Sequence, residues 1–183
     1  MKVMLTNTRL AFPAMFEAKT VNGEGEPAFS AALILDPTAN AKDLAKLDEA
    51  IEQVAKDKWG AKADAVLTKL KSTDKLALHD GDTKADYDGF PGNQYVSARS
   101  KTRPTVVDRD RTPLAESDGR PYAGCYVNAS IELWAQDNNY GKRINAQLRG
   151  IQFVQDGEAF AGGGAAAADE FEELEPETAD DLV

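Results

Sequence analysis

With 183 residues, 42% of them hydrophobic and 28% charged, the chain has the make-up of one soluble globular domain with something left over. Its single cysteine, Cys125, excludes an internal disulfide; with a single histidine, His79, it also excludes the usual Cys/His zinc sites and leaves no partnered Ser-His or Cys-His nucleophile. The formal charge of -10 argues at first sight against nucleic acid, the longest strongly apolar run (Ala31 to Leu35) is too short for a membrane span, and MKVMLTNTRL has no signal-peptide core, so a cytoplasmic protein without membrane contact is expected.

Residues 1–12 and 28–35 have strand character, and in the second Phe29, Ala31, Leu33 and Leu35 share one side by the two-residue period. Asp36-Pro37 ends that strand. Asn40 followed by Asp43 resembles a helix start, and Leu44, Leu47, Ile51 and Val54 form an apolar stripe, predicting a main helix over about residues 40–59 that stops at Gly60. Asp43/Lys46 and Glu52/Lys56 are expected as surface pairs on it. Ala63, Val66, Leu67 and Leu70 predict a second, shorter helix. Residues 79–93, including His79, read as turn-rich loop. Asp80, Asp82, Asp86 and Asp88 there imitate calcium ligands, but Lys84 and Pro91 stand at the fifth and twelfth places, so no metal site is expected.

The next stretch, Tyr95 to Arg103, is the most informative. On an extended strand Tyr95, Ser97, Arg99, Lys101 and Arg103 project to one side, an aromatic ring followed by cations at a spacing that suits the phosphates of an extended single strand. A solvated edge strand is the competing account. Asp108-Arg109-Asp110-Arg111 reads as a self-paired turn. In Tyr126 to Trp134, Val127, Ala129, Ile131 and Leu133 point one way, and Tyr126 and Trp134 the other. After a reversal at 137–141, Ile144, Ala146 and Leu148 share a face while Ile151 and Phe153 have opposite parity, which predicts a bulge near Gly150. The sum is a mainly β protein: a five-stranded antiparallel Greek-key barrel of OB-fold type with one main helix and a second short one.

Tyr140, beside Gly141 at the hairpin tip and next to Lys142 and Arg143, suits a base-stacking finger; a plain hairpin tip is the alternative. On the non-core sides of the last two strands, Tyr126 and Trp134 meet Arg143, Asn145, Gln147 and Arg149, although a partly buried second sheet face would also account for Trp134. Phe90 and Tyr122 fall in loops, placed either to complete the platform or to plug the end of the barrel.

Residues 169–183 hold eight acids and no base, which leaves residues 1–168 with a net charge of only -2. Such a block repels itself and stays solvated. The expected organisation is a folded domain over 1–160, a Gly/Ala linker over 161–168 and an acidic arm over 169–183. On its tether the arm would compete with nucleic acid for a cationic groove. Phe171, Leu174 and the tip Asp180-Asp181-Leu182-Val183 would give protein partners something to hold.

The segments GFPGNQYVSARSKTRP (89–104), GRPYAGCYVNASIELWAQDN (119–138) and YGKRINAQLRGIQFVQDGEAF (140–160) together resemble bacteriophage single-stranded-DNA-binding proteins. The resemblance covers about residues 1–160 and implies an OB-fold that coats single strands in phage replication or recombination. On this reading Arg99, Lys101, Arg103, Lys142, Arg143 and Arg149 neutralise phosphates, and Tyr95, Tyr126, Trp134 and Tyr140 stack on bases, without catalysis or cofactor. Replication or recombination proteins are expected partners of the arm, and an exposed edge strand would permit a homodimer. The rivals are an acidic DNA mimic or interaction module, a structural virion component and, on the aspartate-rich loop alone, a metal-dependent nuclease.

Overall fold

The structure is a computed structural model, and it describes residues 1–21, 23–160 and 171–176. The chain runs β1 (Lys2–Val21), β2 (Glu24–Leu35), α1 (Ala41–Trp59), α2 (Ala63–Ser72), β3 (Leu78–Asp80), β4 (Gln94–Ser100), β5 (Thr105–Val107), β6 (Tyr126–Asn138) and β7 (Gly141–Gln155). Five of these strands close a barrel in the order β1-β2-β4-β7-β6, with β6 paired back onto β1. The closing β4–β7 pair is parallel, Ala98 opposite Ala146 and Arg99 opposite Gln147, so the barrel is not antiparallel throughout as the hairpin pattern had suggested. Two short strands extend it: β3 on the free edge of β4, and β5 parallel to β7.

Each barrel strand turns alternate apolar residues inward. Leu33, Leu35, Val96, Ile131, Leu133, Ile144, Leu148 and Ile151 are almost wholly buried together. At about 1.5–3 kcal/mol per buried aliphatic side chain, this set dominates the stability of the domain. The bulge falls where the parity break placed it: Ser130 pairs with Gly150 but Ile131 with Leu148, so Arg149 is the extra residue and Ile151 and Phe153 return to the core side.

The first strand is longer than its alternation showed. Register shifts against β6 between Leu5 and Thr8, and against β2 between Ala11 and Ala14, break the period, and the second absorbs Pro13 inside the strand. Asn7 and Phe12 have positive φ at these irregularities.

The helix α1 covers one side of the barrel with Leu47, Ala50, Ile51, Val54 and Ala55, Leu44 packing at the margin. Asn40 precedes the helix without capping it; its side chain donates to the Thr6 carbonyl and accepts from the Asp36 amide. Asp43 pairs with Lys46 at 3.2 Å, yet it is buried rather than on the surface. Its carboxylate accepts from the Thr6 amide and hydroxyl, fastening α1 to β1.

A second, smaller apolar cluster lies outside the barrel. Ala11, Ala32, Ile34 and Tyr95 on the outer face of β1, β2 and β4 are covered by Phe90 and Phe160. The segment 79–93 is therefore a folded cover rather than plain loop. The Asp80 carboxylate accepts from the Asp82 amide and the Asp82 carboxylate from the Gly92 amide, spending these acids on turn geometry.

Candidate nucleic-acid interface

A groove of about 990 Å³ crosses the outside of the barrel. One wall is the β1–β2 hairpin at Glu24 to Ala28, and the other is the β6–β7 hairpin. The floor carries Ser97 and Arg99 of β4. Register explains the gathering: Trp134 is opposite Asn145, Gln136 opposite Arg143, Glu132 opposite Gln147, and Gln147 opposite Arg99, so all point outward from three adjacent strands. Trp134 is 46% exposed, a flat ring open to solvent on a sheet face. Asn145 donates to the Gln136 carbonyl oxygen at 3.0 Å, fixing both amides beside it. Arg99 and Arg143 are exposed, and among the described residues neither has an ion-pair partner. A surface with one open ring, two unspent guanidinium groups and two amides can stack a base and neutralise phosphates.

Other anticipated cations are already engaged. Lys101 meets Glu26 at 2.6 Å across the groove entrance, and the ammonium holds the Glu26 carboxyl below its usual range. Arg149 stands on the bulge and donates to Glu132 at 2.9 Å. Lys142 is 3.7 Å from Asp137, whose carboxyl is held low first by the Trp59 indole N–H at 2.9 Å and then by that lysine. Arg103 leaves the groove altogether and lies over the Phe16 ring. The reason is that β4 ends at Ser100, whose hydroxyl accepts from the Thr102 amide and bends the chain, so Lys101 and Arg103 do not continue the strand face expected through Arg103.

The anticipated rings divide likewise. Tyr140 is 89% exposed at the tip of the β6–β7 hairpin, its amide bonded to the Asn138 side chain. Tyr95 is corrected: it is buried, stacked on His79 at 5.0 Å and edge-on to Phe90 at 5.0 Å, so no face remains for a base. Phe90 is corrected with it, being 1% exposed where it covers the outer face of β4. Tyr122 is half-buried and pinned, its hydroxyl donating to Asp156 and accepting from the Gly157 amide. Tyr126 is half-buried, with the Arg9 guanidinium 5.8 Å from its ring centroid. That guanidinium also lies over Phe160 and donates to the Gly124 and Glu158 carbonyls. Tyr122 and Tyr126 thus fasten the end of the folded domain and do not line the groove.

His79 was read as a loop residue but belongs to β3 and lines the groove. No spacing in the sequence marks it, because β3 is three residues long. Phe12 and Tyr87, half-exposed and edge to face at 5.1 Å, were also missed; they contact across a strand irregularity and a loop. In the arm, Phe171 and Leu174 are exposed. Residues 161–170, which include the expected linker over 161–168, and Asp180, Asp181, Leu182 and Val183 lie outside the described residues.

A closed five-stranded barrel of this order, with a groove over its third, fourth and fifth strands beside the hairpin of the first two, is an OB-fold, a class of barrel that takes oligonucleotides and oligosaccharides. The chain belongs to the family of the Enterobacter phage Enc34 ssDNA-binding protein, whose family model matches residues 1–183. It is 42% identical over 185 aligned positions to protein p50 of Acyrthosiphon pisum secondary endosymbiont phage 1, covering 100% of this chain and 99% of that one. The structure of the Enc34 single-stranded-DNA-binding protein in complex with ssDNA superposes with a TM-score of 0.73 at 28% identity, over 86% of this chain and 88% of that one. The single-stranded-DNA-binding protein gp2.5 of bacteriophage T7 shares the fold at 12% identity, with a TM-score of 0.54 over 94% of this chain and 98% of that one.

Proposed function

We propose that this chain binds single-stranded DNA with little regard to sequence, as a non-enzymatic component of phage DNA replication or recombination. The observation that carries the proposal is the exposed Trp134 ring gathered with Arg99 and Arg143 in one groove on the outside of an OB-fold barrel. Backbone neutralisation falls to Arg99, Arg143, Lys101 and Lys142, and stacking to Trp134 and Tyr140. The family membership, and the related Enc34 protein's capture with ssDNA, support the same ligand.

The acidic arm has two further roles in this proposal. Its eight acids compete with phosphates for the groove, and its exposed Phe171 and Leu174 recruit replication or recombination proteins once DNA has displaced it. The support is the segregation of charge, a nearly neutral domain followed by a tethered polyanion.

A salt titration of binding to a labelled oligonucleotide tests the reading. On a short oligonucleotide, of about 8 nucleotides, four phosphate-neutralising cations predict log K falling with log salt at a slope of about -2.8. A chain ending at residue 160 should bind at least as tightly as the full chain. Absence of salt-sensitive binding overturns the function, and weaker binding by the shortened chain overturns the role of the arm.

A further inference from the structure

Beside the groove lies a cleft of about 560 Å³ between α2 and the β6–β7 hairpin. Its floor is apolar, from Ala65, Val66 and Leu70, and its rim is made by Lys62, Lys69, Lys75 and Lys142. Helical spacing puts Lys62, Val66, Lys69, Leu70 and Thr73 on one face of α2 and its flanks. Asp137 is the sole acid among the lining residues, and its carboxylate is already held by the Trp59 indole and Lys142. Among the described residues Lys62, Lys69 and Lys75 have no ion-pair partner.

Two walls are shared with the groove. Segment 75–77 accepts from the Ile144 amide through Lys75 and from the Ser97 amide through Ala77, so Lys75 faces the cleft while Leu76 and Ala77 line the groove. The β6–β7 hairpin turns Arg143 to the groove and Lys142 to the cleft, with the exposed Tyr140 at the tip between them.

We infer that the DNA path does not end at the groove: the strand passes the Tyr140 tip and continues over the Lys62–Lys69–Lys75 rim, which takes up its phosphates. This rests on the single-stranded-DNA reading above and extends its site. Charge and continuity argue for it together, because a strand leaving Arg143 meets three unpaired ammonium groups and no free carboxylate in the cleft lining.

The chain's own acidic arm is the other anionic occupant, and it starts from the far end of β6. The arm leaves the domain after Phe160, whose amide donates to Ala123 just before β6, whereas the cleft lies at the Asp137–Asn138 end of that strand. The length of β6 between those points is up to about 40 Å.

The test compares the full chain with the Lys62→Gln/Lys69→Gln/Lys75→Gln variant on oligothymidines of about 8 and about 16 nucleotides, within the range one OB-fold covers. On the longer strand the slope of log K against log salt should become shallower by about 2, so that between about 50 and 200 mM salt the variant loses about 20-fold less affinity than the parent. On the shorter strand the two should bind alike. Equal slopes on the longer strand overturn the inference, as does an equal change on both lengths, which would mark a general field effect. Should the triple variant fail to fold, Lys62→Gln/Lys69→Gln on the exposed face should lower the slope by about 1.4. Trp134→Leu serves as the groove control: intact binding in that variant as well sinks the function, whereas intact binding in the lysine variants alone sinks only the extension.

A photocrosslinker on a Thr73→Cys variant supplies the second measurement. Native Cys125 is buried and burial pushes its thiol up to about 11, so labelling falls on the introduced thiol. Crosslinks to the longer oligonucleotide are expected. Crosslinks to the C-terminal peptide instead would assign the cleft to the arm and overturn the inference.

Discussion

Trp134→Leu is the substitution that separates binding from folding most cleanly. The indole is 46% exposed on the outer face of β6, while its neighbours Leu133 and Ile131 carry the core side of that strand. Leucine keeps an apolar contact with the sheet surface but offers no flat ring. The folding cost should therefore stay within about 1 kcal/mol, or about 2–4 °C in Tm for a chain of this size. A stacked base is worth about 1–3 kcal/mol, so affinity for oligothymidine should fall about 5- to 150-fold. Anisotropy of a labelled strand measures the affinity and thermal unfolding measures the cost. The other tryptophan, Trp59, donates to Asp137 beside the cleft and remains as a fluorescent reference for an intact fold. Unchanged affinity in a normally folded Trp134→Leu protein would refute the assignment of this ring, and with it the observation that carries the function.

Two further outcomes concern buried groups. Tyr95→Ala should cost about 3–5 kcal/mol of stability in denaturant titration, because its ring fills the space between His79 and Phe90, while the folded fraction binds DNA normally. A stable Tyr95→Ala protein with weakened binding would return Tyr95 to the interface. Cys125 is fully buried and burial favours its neutral thiol, so native protein near pH 8 should react with a thiol reagent far more slowly than unfolded protein. Because the folded thiol ionises only at about 11, the stability this group lends is whole below the ordinary thiol pKa and declines as pH rises from there through about 11. Equal labelling rates for folded and unfolded chains would contradict the burial.

The parts of this molecule that were legible in its sequence share a property: each is decided within about a dozen residues. The stripe of α1, the alternation of β6 and the parity break at Gly150 all arise from neighbours in the chain, and the barrel could be assembled from them. Most of what escaped was decided by distant contacts. Tyr95 has the right parity to stand beside Ser97 and Arg99, but Phe90, brought over by a folded cover, closes that end of the face. Arg103 has the right parity too, yet the Ser100 hydroxyl, accepting from the Thr102 amide, ends the strand before Arg103 is reached, a turn that alternation alone does not show. The helical spacing of Asp43 makes it a surface acid, but its partner Thr6 is on β1, 37 residues away in the chain. Trp134, Arg143 and Arg99 met in one groove because register, which no local pattern encodes across β4 and β7, aligned them.

The β1–β2 hairpin brings an acid to the candidate interface. Glu26 sits 2.6 Å from Lys101 at the mouth of the groove, with both side chains about four-fifths exposed. A pair so wet contributes little to folding. Its effect on a passing polyanion is larger, since the strand must displace the carboxylate to reach the ammonium and meets its charge on the way. An isolated phosphate gains little by that exchange, whereas a strand held at Trp134 and Arg143 brings the phosphate into place already tethered. On the proposed function, Glu26 would therefore discriminate against brief, shallow contacts. Glu26→Gln should leave Tm unchanged and raise affinity for short oligonucleotides a few-fold at low salt, with the gain disappearing at high salt as screening removes the repulsion. The gain should be smaller on longer strands, where the remaining contacts dominate. Affinity that is unchanged at low salt, or a gain that persists at high salt, would show that DNA does not pass the Lys101 side of the groove.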